Sequence, residues 1–348
     1  MATNAAGRRR GARMSAVPVG LLRGDGVGPE ISDAALMVMA AAGADIEWVE
    51  LAAGEDAFRR TGSAVPDDTA ESLRTLGVAL KAPYTTPLTG YTSPSWAMRE
   101  AVDAYVNVRS VQYYPHRGSR YPGLDLTLVR DQTEDLSRSV SQRSADGDVG
   151  IGLKIISRRA SERVSRFAMQ WAQDHGHDRV TVGHIATGQR ATDGLFLESA
   201  MDVARDFPDL TVDEEILDGL STHLIQDPSS YRILLTESVY GGIMCGIMAG
   251  LAGTVGVMPG AFIGPGGAVF EAGHGSAPKY AGTGRVNPTG MILSGAMLLD
   301  HIGQRQAGDR VRAAVASAVS EGDMLTRDLG GTATTAEFAT RCSALASS

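Results

Sequence analysis

The sequence predicts an α/β fold built on a largely parallel sheet, and three observations predict it. A short apolar strand, Val17–Leu22, runs through the turn Gly24-Asp25-Gly26-Val27-Gly28 into a helix. Apolar strand-like runs then alternate with stretches of helical periodicity along the chain. The 348 residues, 43% of them hydrophobic, suffice for a large core and imply two domains, or one α/β unit with an inserted part.

The elements follow in order. Pro29 suits the first helical turn, where a missing N–H costs nothing. Ile31, Ala34, Ala35, Val38 and Ala42 recur at helical spacing, and Gly43 caps the end. Ser161 opens another helix, with Val164, Phe167, Ala168 and Trp171 on one face. Val180–Ile185 reads as a strand, 193–205 as a helix, Leu210–Ile216 as extended and Ile233–Thr236 as a buried strand. Pro288–His301 is a strongly apolar helix with Gly303 just past it, and the glycine-rich stretch 252–267 reads as an ordered loop. Residues 1–13 read as a disordered extension.

Composition excludes several classes. A net charge of −8 argues against general nucleic-acid binding. No apolar run is long enough to span a bilayer, so no membrane partner is expected. Cys245 and Cys342 offer neither a metal spacing nor a disulfide framework, which fits a reducing cytoplasm. Arg8, Arg9, Arg10 and Arg13 are followed by no apolar run and do not form a secretory signal.

Three features carry chemistry. The turn GDGVGPE at 24–30 is not the GxGxxG dinucleotide fingerprint, because its spacing differs. Arg99, Arg109 and Arg130 each present a planar fork that matches a carboxylate, and together suit a di- or tricarboxylate, although an arginine is ordinarily a solvated surface charge. The run HGSAPKYAGTGRVNP at 274–288 is dense in small residues, so backbone amides can approach a ligand, and its histidine and lysine add donors for phosphate or adenine.

In combination these segments resemble the isocitrate/isopropylmalate (β-decarboxylating) dehydrogenase family. The resemblance spans about Val19 to Phe338. It rests on GDGVGPEI at 24–31, LKAPYTTP at 80–87, LVRDQTED at 128–135, SERVSRFA at 161–168 and TDGLFLE at 192–198. VYGG at 239–242, HGSAPKYAG at 274–282 and DLGG at 328–331 complete it. It implies a large dinucleotide-binding domain from 14–104 and 256–348, and an inserted small domain, 105–255, that clasps a partner. It also implies a homodimer, sites completed across the interface, and a dinucleotide held by this fold's own loops.

Residue by residue, the resemblance places Arg99, Arg109 and Arg130 on the substrate carboxylates, Ser93 on the distinguishing side group, and Lys81 and Thr85 near substrate and nicotinamide. His274, Gly275, Ala277 and Asn287 fall on the adenine and ribose loop. Lys279, Tyr280 and Val286 look like the NADP-preferring version, whereas LTRDLGG at 325–331 looks NAD-type, so the cofactor is NADP or NAD with a lean to NADP. Other positions depart. The resemblance puts the family's catalytic tyrosine at Ser137 and its partner-donated lysine at Arg190, whose guanidinium is always protonated. Thr187 stands where a substrate-contacting asparagine is usual. Of the Mg²⁺/Mn²⁺ ligands only Asp218 remains, and the helix pair is Gly242 and Gly246. Hard cations need several oxygen donors.

The sequence therefore implies an NAD(P)-binding protein of the oxidoreductase class for a small 2-hydroxy di- or tricarboxylate, with metal-dependent decarboxylation in question. Two alternatives accompany it. One is a catalytically silent, ligand-binding homologue that pairs with a related active subunit. The other is metal-free chemistry on a larger substrate, with Arg190 as a fixed positive charge.

Overall fold

The computed structural model describes residues 16–87 and 90–348, so the expected tail at 1–13 lies outside the described residues. Twelve strands are present among them: β1 (Val17–Leu22), β2 (Ile46–Glu50), β3 (Val78–Lys81), β4 (Val106–Gln112), β5 (Asp125–Asp131), β6 (Ser141–Arg143), β7 (Gly150–Gly152), β8 (Arg179–His184), β9 (Thr211–Ile216), β10 (Ile233–Thr236), β11 (Gly260–Gly264) and β12 (Gly267–Glu271). Ten of these form one sheet in the order β2-β1-β3-β12-β11-β4-β5-β10-β8-β9, and β6 and β7 form a separate hairpin.

The flanks of the sheet are parallel, as the alternation of strands and helices demands. Its centre is not: β11 runs antiparallel to both β12 and β4, and β4 runs antiparallel to β5. This corrects the reading of 252–267 as a loop, since β11 lies inside it. Glycine disguises the strand because backbone and side chains crowd it. A Cβ on Gly260 would lie 2.3 Å from Nη1 of Arg109, and one on Gly264 would lie 1.9 Å from the carbonyl of Asp103.

The first helix spans Gly28–Ala41 with Pro29 in its opening turn, and Gly43 follows it at φ 81°. The helix expected from Ser161 begins earlier, at Arg158, because Ser157 caps it by accepting from the amide of Ala160. Such a cap contributes about 1 kcal/mol. The helix Thr289–His301 is buried along most of its length, as its uniform apolarity requires.

One core cluster joins the two ends of the chain, packing Val19, Leu21 and Ile31 with Leu298, Val315 and Phe338. A second lies around β8 and β10, with Val164, Ala168, Phe196 and Ile233 at its centre. No helix among the described residues is long and apolar enough to cross a membrane.

Candidate functional site

Strand register assembles the site. Lys81 and Glu271 are register partners at the ends of β3 and β12, Arg109 on β4 faces Gly260 on β11, and Asn107 on β4 faces Arg130 on β5. Residues distant in sequence are thus fixed on adjacent strands before any side chain chooses a rotamer.

Glu271 is the hub. Its carboxylate pairs with Nζ of Lys81 at 2.5 Å and with Nη2 of Arg109 at 2.5 Å, and Arg99 stands 3.9 Å away. Arg109 also donates to the Glu271 carbonyl at 3.1 Å. Arg99 stacks on the ring of Phe262, 3.6 Å from its centroid, and donates to Gln132 at 3.3 Å. Arg130 is held by Asn107 Oδ1 at 3.0 Å and the carbonyl of Ser238 at 2.8 Å. Ser95, on the helix Pro94–Ala101, accepts from Lys81 at 3.1 Å, and Ser93 is the N-cap residue of that helix.

Three cations therefore meet one carboxylate, and Arg130 adds a fourth positive charge beside Arg99. Burial acts to raise the pKa of Glu271, but the charges of Lys81, Arg109 and Arg99 override it and hold the carboxyl far below its usual range. Burial lowers the pKa of Lys81, with Glu271 opposing. Burial also lowers Arg99, to about 10, and the neighbouring Arg109 and Arg130 add to the fall. Positive charge in this cup exceeds what Glu271 neutralises, so an anionic ligand relieves repulsion among the guanidiniums. Glu271 and Asn107 were not found by sequence reasoning. The only available signal was an acid ending an apolar strand three residues before His274, where HGSAP begins.

Beside the cup, three loops meet. Asp25, in the glycine turn, accepts from the amide of Thr85 at 2.9 Å, and Thr85 Oγ1 lies 2.8 Å from Oγ of Ser276. The amide of Val27 donates to the carbonyl of Ser276, and Glu30 anchors the far end of the loop through the amide of Gly284. Ala277 adopts a left-handed backbone at φ 39°, which folds Gly275 to Tyr280 into a short turn. Lys279 and Tyr280 are exposed there, the ammonium lying 4.9 Å from the ring centroid. His274 Nδ1 contacts the carbonyl of Gly275, but Nε2 is buried without a partner, and burial lowers its pKa. An orphaned ring nitrogen beside exposed donors fits a dinucleotide. Asn287 is buried and already bonded, to Asp328 at 3.0 Å and to the amide of Thr289 at 2.9 Å, while partly buried Val286 lends its carbonyl to Thr335.

The remaining expected residues lie around or outside this cup within one chain, and Arg190 and Asp218 are those the resemblance assigns to a partner's site. Ser137 is exposed and accepts from the hydroxyl of Ser238 at 2.9 Å. Arg190 and Asp218 are exposed, and Asp218 spends one oxygen on the amide of Gly219. Gly242 and Gly246 sit on the exposed side of the helix Ser238–Leu251. A Cβ at 242 would lie 3.0 Å from Nη1 of Arg130, so a guanidinium already borders that position. No group of three or more His, Cys, Asp or Glu among the described residues is placed to hold a metal ion. This donor set does not fit Mg²⁺ or Mn²⁺.

A second polar cluster was also missed. Lys154 pairs with both Asp193 and Glu237 and contacts the hydroxyl of Tyr240 at 3.3 Å. Burial pushes Glu237 up to about 8 even though Lys154 opposes the shift.

The fold is thus a mixed α/β sheet that presents a buried, strongly cationic cup next to a small-residue loop. More particularly, the chain belongs to the isocitrate/isopropylmalate dehydrogenase family, whose sequence model matches residues 18–342. It is 39% identical over 321 residues to the isocitrate/homoisocitrate dehydrogenase of Thermus thermophilus, covering 91% of this chain and 95% of the relative. It is 38% identical over 320 residues to isocitrate dehydrogenase (NAD) catalytic subunit 5, mitochondrial, of Arabidopsis thaliana, covering 91% and 85%. The crystal structure of isocitrate dehydrogenase from Methylococcus capsulatus superposes with a TM-score of 0.92 at 34% identity, covering 95% of this chain and 99% of that one.

Proposed function

We propose that this chain binds a small 2-hydroxy di- or tricarboxylate in the cup of Lys81, Arg99, Arg109 and Arg130, next to a nicotinamide dinucleotide, and acts on it as a dehydrogenase. The observation that carries this reading is the single buried carboxylate of Glu271 against three cations, with Arg130 unpaired by it beside them, which leaves guanidinium donors for a ligand. Bidentate contacts would orient the substrate, and each charge-assisted bond contributes about 1.5–3 kcal/mol. His274 Nε2, the amides of Gly275 to Ala277 and Thr85 would hold the dinucleotide. When bound, that group supplies a hydride acceptor. Lys279, exposed on this loop, would read a ribose 2′-phosphate and so favours NADP, whereas the names of several relatives specify NAD. The exposed apolar residues Val140, Val149, Ile151 and Leu153, in and around the β6–β7 hairpin, suit burial against a second copy and support a homodimer.

No step is assigned to a divalent ion, because Gly242, Gly246 and Asp218 supply one carboxylate among them. The same substitutions, with Ser137 and Arg190, favour a second reading, a ligand-binding subunit without turnover of its own. The two separate by assay. Purified protein is mixed with NAD or NADP and each of isocitrate, isopropylmalate, malate and tartrate, with Mn²⁺ or with EDTA. Reduced nicotinamide formed equally in EDTA supports the dehydrogenase reading, and carboxylate binding without turnover supports the second. EDTA-sensitive oxidation of isocitrate, with micromolar Mn²⁺ binding, would contradict the metal assignment.

A further inference from the structure

A cavity of about 820 Å³ lies on the opposite face of the sheet from the cup. Side chains alternate across a strand, and that alternation links the two sites. Arg109 enters the cup while Ser110 lines the cavity, and Glu271 enters the cup while Phe270 lines the cavity. The volume falls in the range of small-molecule sites, roughly 300–1,000 Å³.

The lining has three parts. Its floor mixes apolar Val257, Phe270, Leu293 and Met297 with a hydroxyl pair, Ser110 and Thr127, 2.8 Å apart. One wall is an aromatic column on the helix Arg158–Asp174 and its cap. Phe167 and Trp171 stack at 5.7 Å, and Trp171 and His175 at 4.1 Å. The other wall is the start of the helix Arg305–Glu321.

Charge decides what fits. Asp125, Asp174, Asp300 and Asp309 line the cavity against only Arg305 and Arg312. Arg312 is committed to Asp300 at 2.7 Å and to Asp309 at 2.6 Å. Asp125 and Asp174 form no ion pair among the described residues, and Asp174 accepts only from Gln170. Burial of part of the ring lowers the pKa of His301, which also lines the cavity. An apolar floor under an acidic rim repels the polycarboxylates that the cup attracts and suits the reverse kind of molecule.

We propose that this cavity binds a small amphipathic organic cation, an ammonium on an aromatic or branched apolar body, and that its occupancy changes carboxylate affinity in the cup. The coupling runs through Arg109–Ser110 and Phe270–Glu271, two pairs of successive residues that face both sites. Binding in the cavity does not depend on the reading of the cup, but the coupling does.

The test is calorimetry on the full chain with 2-phenylethylammonium as probe and 3-phenylpropionate as its anionic counterpart. The ammonium should bind and the carboxylate should not bind in the cavity. The double variant Asp125→Asn/Asp174→Asn alters two exposed side chains and should weaken the ammonium about fivefold. Saturating ammonium should also shift the affinity for a tricarboxylate titrated in the same cell. Absence of ammonium binding, or binding unaffected by the double variant, would overturn the site. Binding without any shift in tricarboxylate affinity would overturn the coupling. A tricarboxylate that fails to bind even without the ammonium would sink the cup reading while leaving the cavity result intact.

Discussion

Glu271 shows what one residue settles. It sits 7% exposed and is, among the described residues, the only carboxylate paired with Lys81 and Arg109. Taking the charge from one partner of a buried pair leaves the other uncompensated, at a cost of about 3–5 kcal/mol. Glu271→Gln should therefore lower unfolding stability by several kcal/mol in urea denaturation, more than an exposed control such as Glu198→Gln. A loss no larger than the control's would show that the cup tolerates its own cations. The arginines of this site were legible in the sequence because a planar fork matches a carboxylate and the family resemblance places all three on one substrate. Glu271 was not, because an acid closing the apolar run of β12 has no period to betray it. Only its register with Lys81 exposes its role.

At the scale of elements, the Lys154 cluster ties the end of the β6–β7 hairpin to the starts of the helices Asp193–Ala204 and Ser238–Leu251. Its members lie 39 and 83 residues apart, so no local pattern announces them. The flanking strands and most helices were legible from periodicity, whereas β11 was hidden by glycines demanded by close neighbours. The cluster also makes stability depend on pH. Burial raises Glu237 to about 8, above its ordinary 4.5. The folded chain then keeps a proton that the unfolded chain releases, so this group's contribution falls as pH rises from about 4.5 to about 8. Glu237→Gln cannot titrate and should flatten the decline in melting temperature across that window. An unchanged slope would assign the pH dependence to other groups.

At the scale of the whole molecule, the family and its fold were legible from motif order across nearly the entire chain, but the antiparallel centre of the sheet was not. Ile151 is 55% exposed on the hairpin, with Val140 and Val149 nearby. Apolar exposure of this kind ordinarily marks an interface. The protein should sediment as a dimer at micromolar concentration, and Ile151→Lys should shift it toward monomer. A wild-type monomer would contradict the proposed assembly. Domain placement, 14–104 with 256–348 against 105–255, remains a proposal resting on the family resemblance, because the sheet runs continuously from β11 to β4 across that boundary.

The cup itself is tested most directly by calorimetry in EDTA with saturating NAD. Whichever of isocitrate, isopropylmalate, malate or tartrate binds best is titrated into the wild type and into Arg109→Ala. Wild-type protein should bind it without divalent metal, and the variant should bind at least about tenfold more weakly, the loss of one charge-assisted contact. Equal affinities for the two proteins, or wild-type binding that appears only when Mn²⁺ is added, would contradict a carboxylate site made of arginines around Glu271.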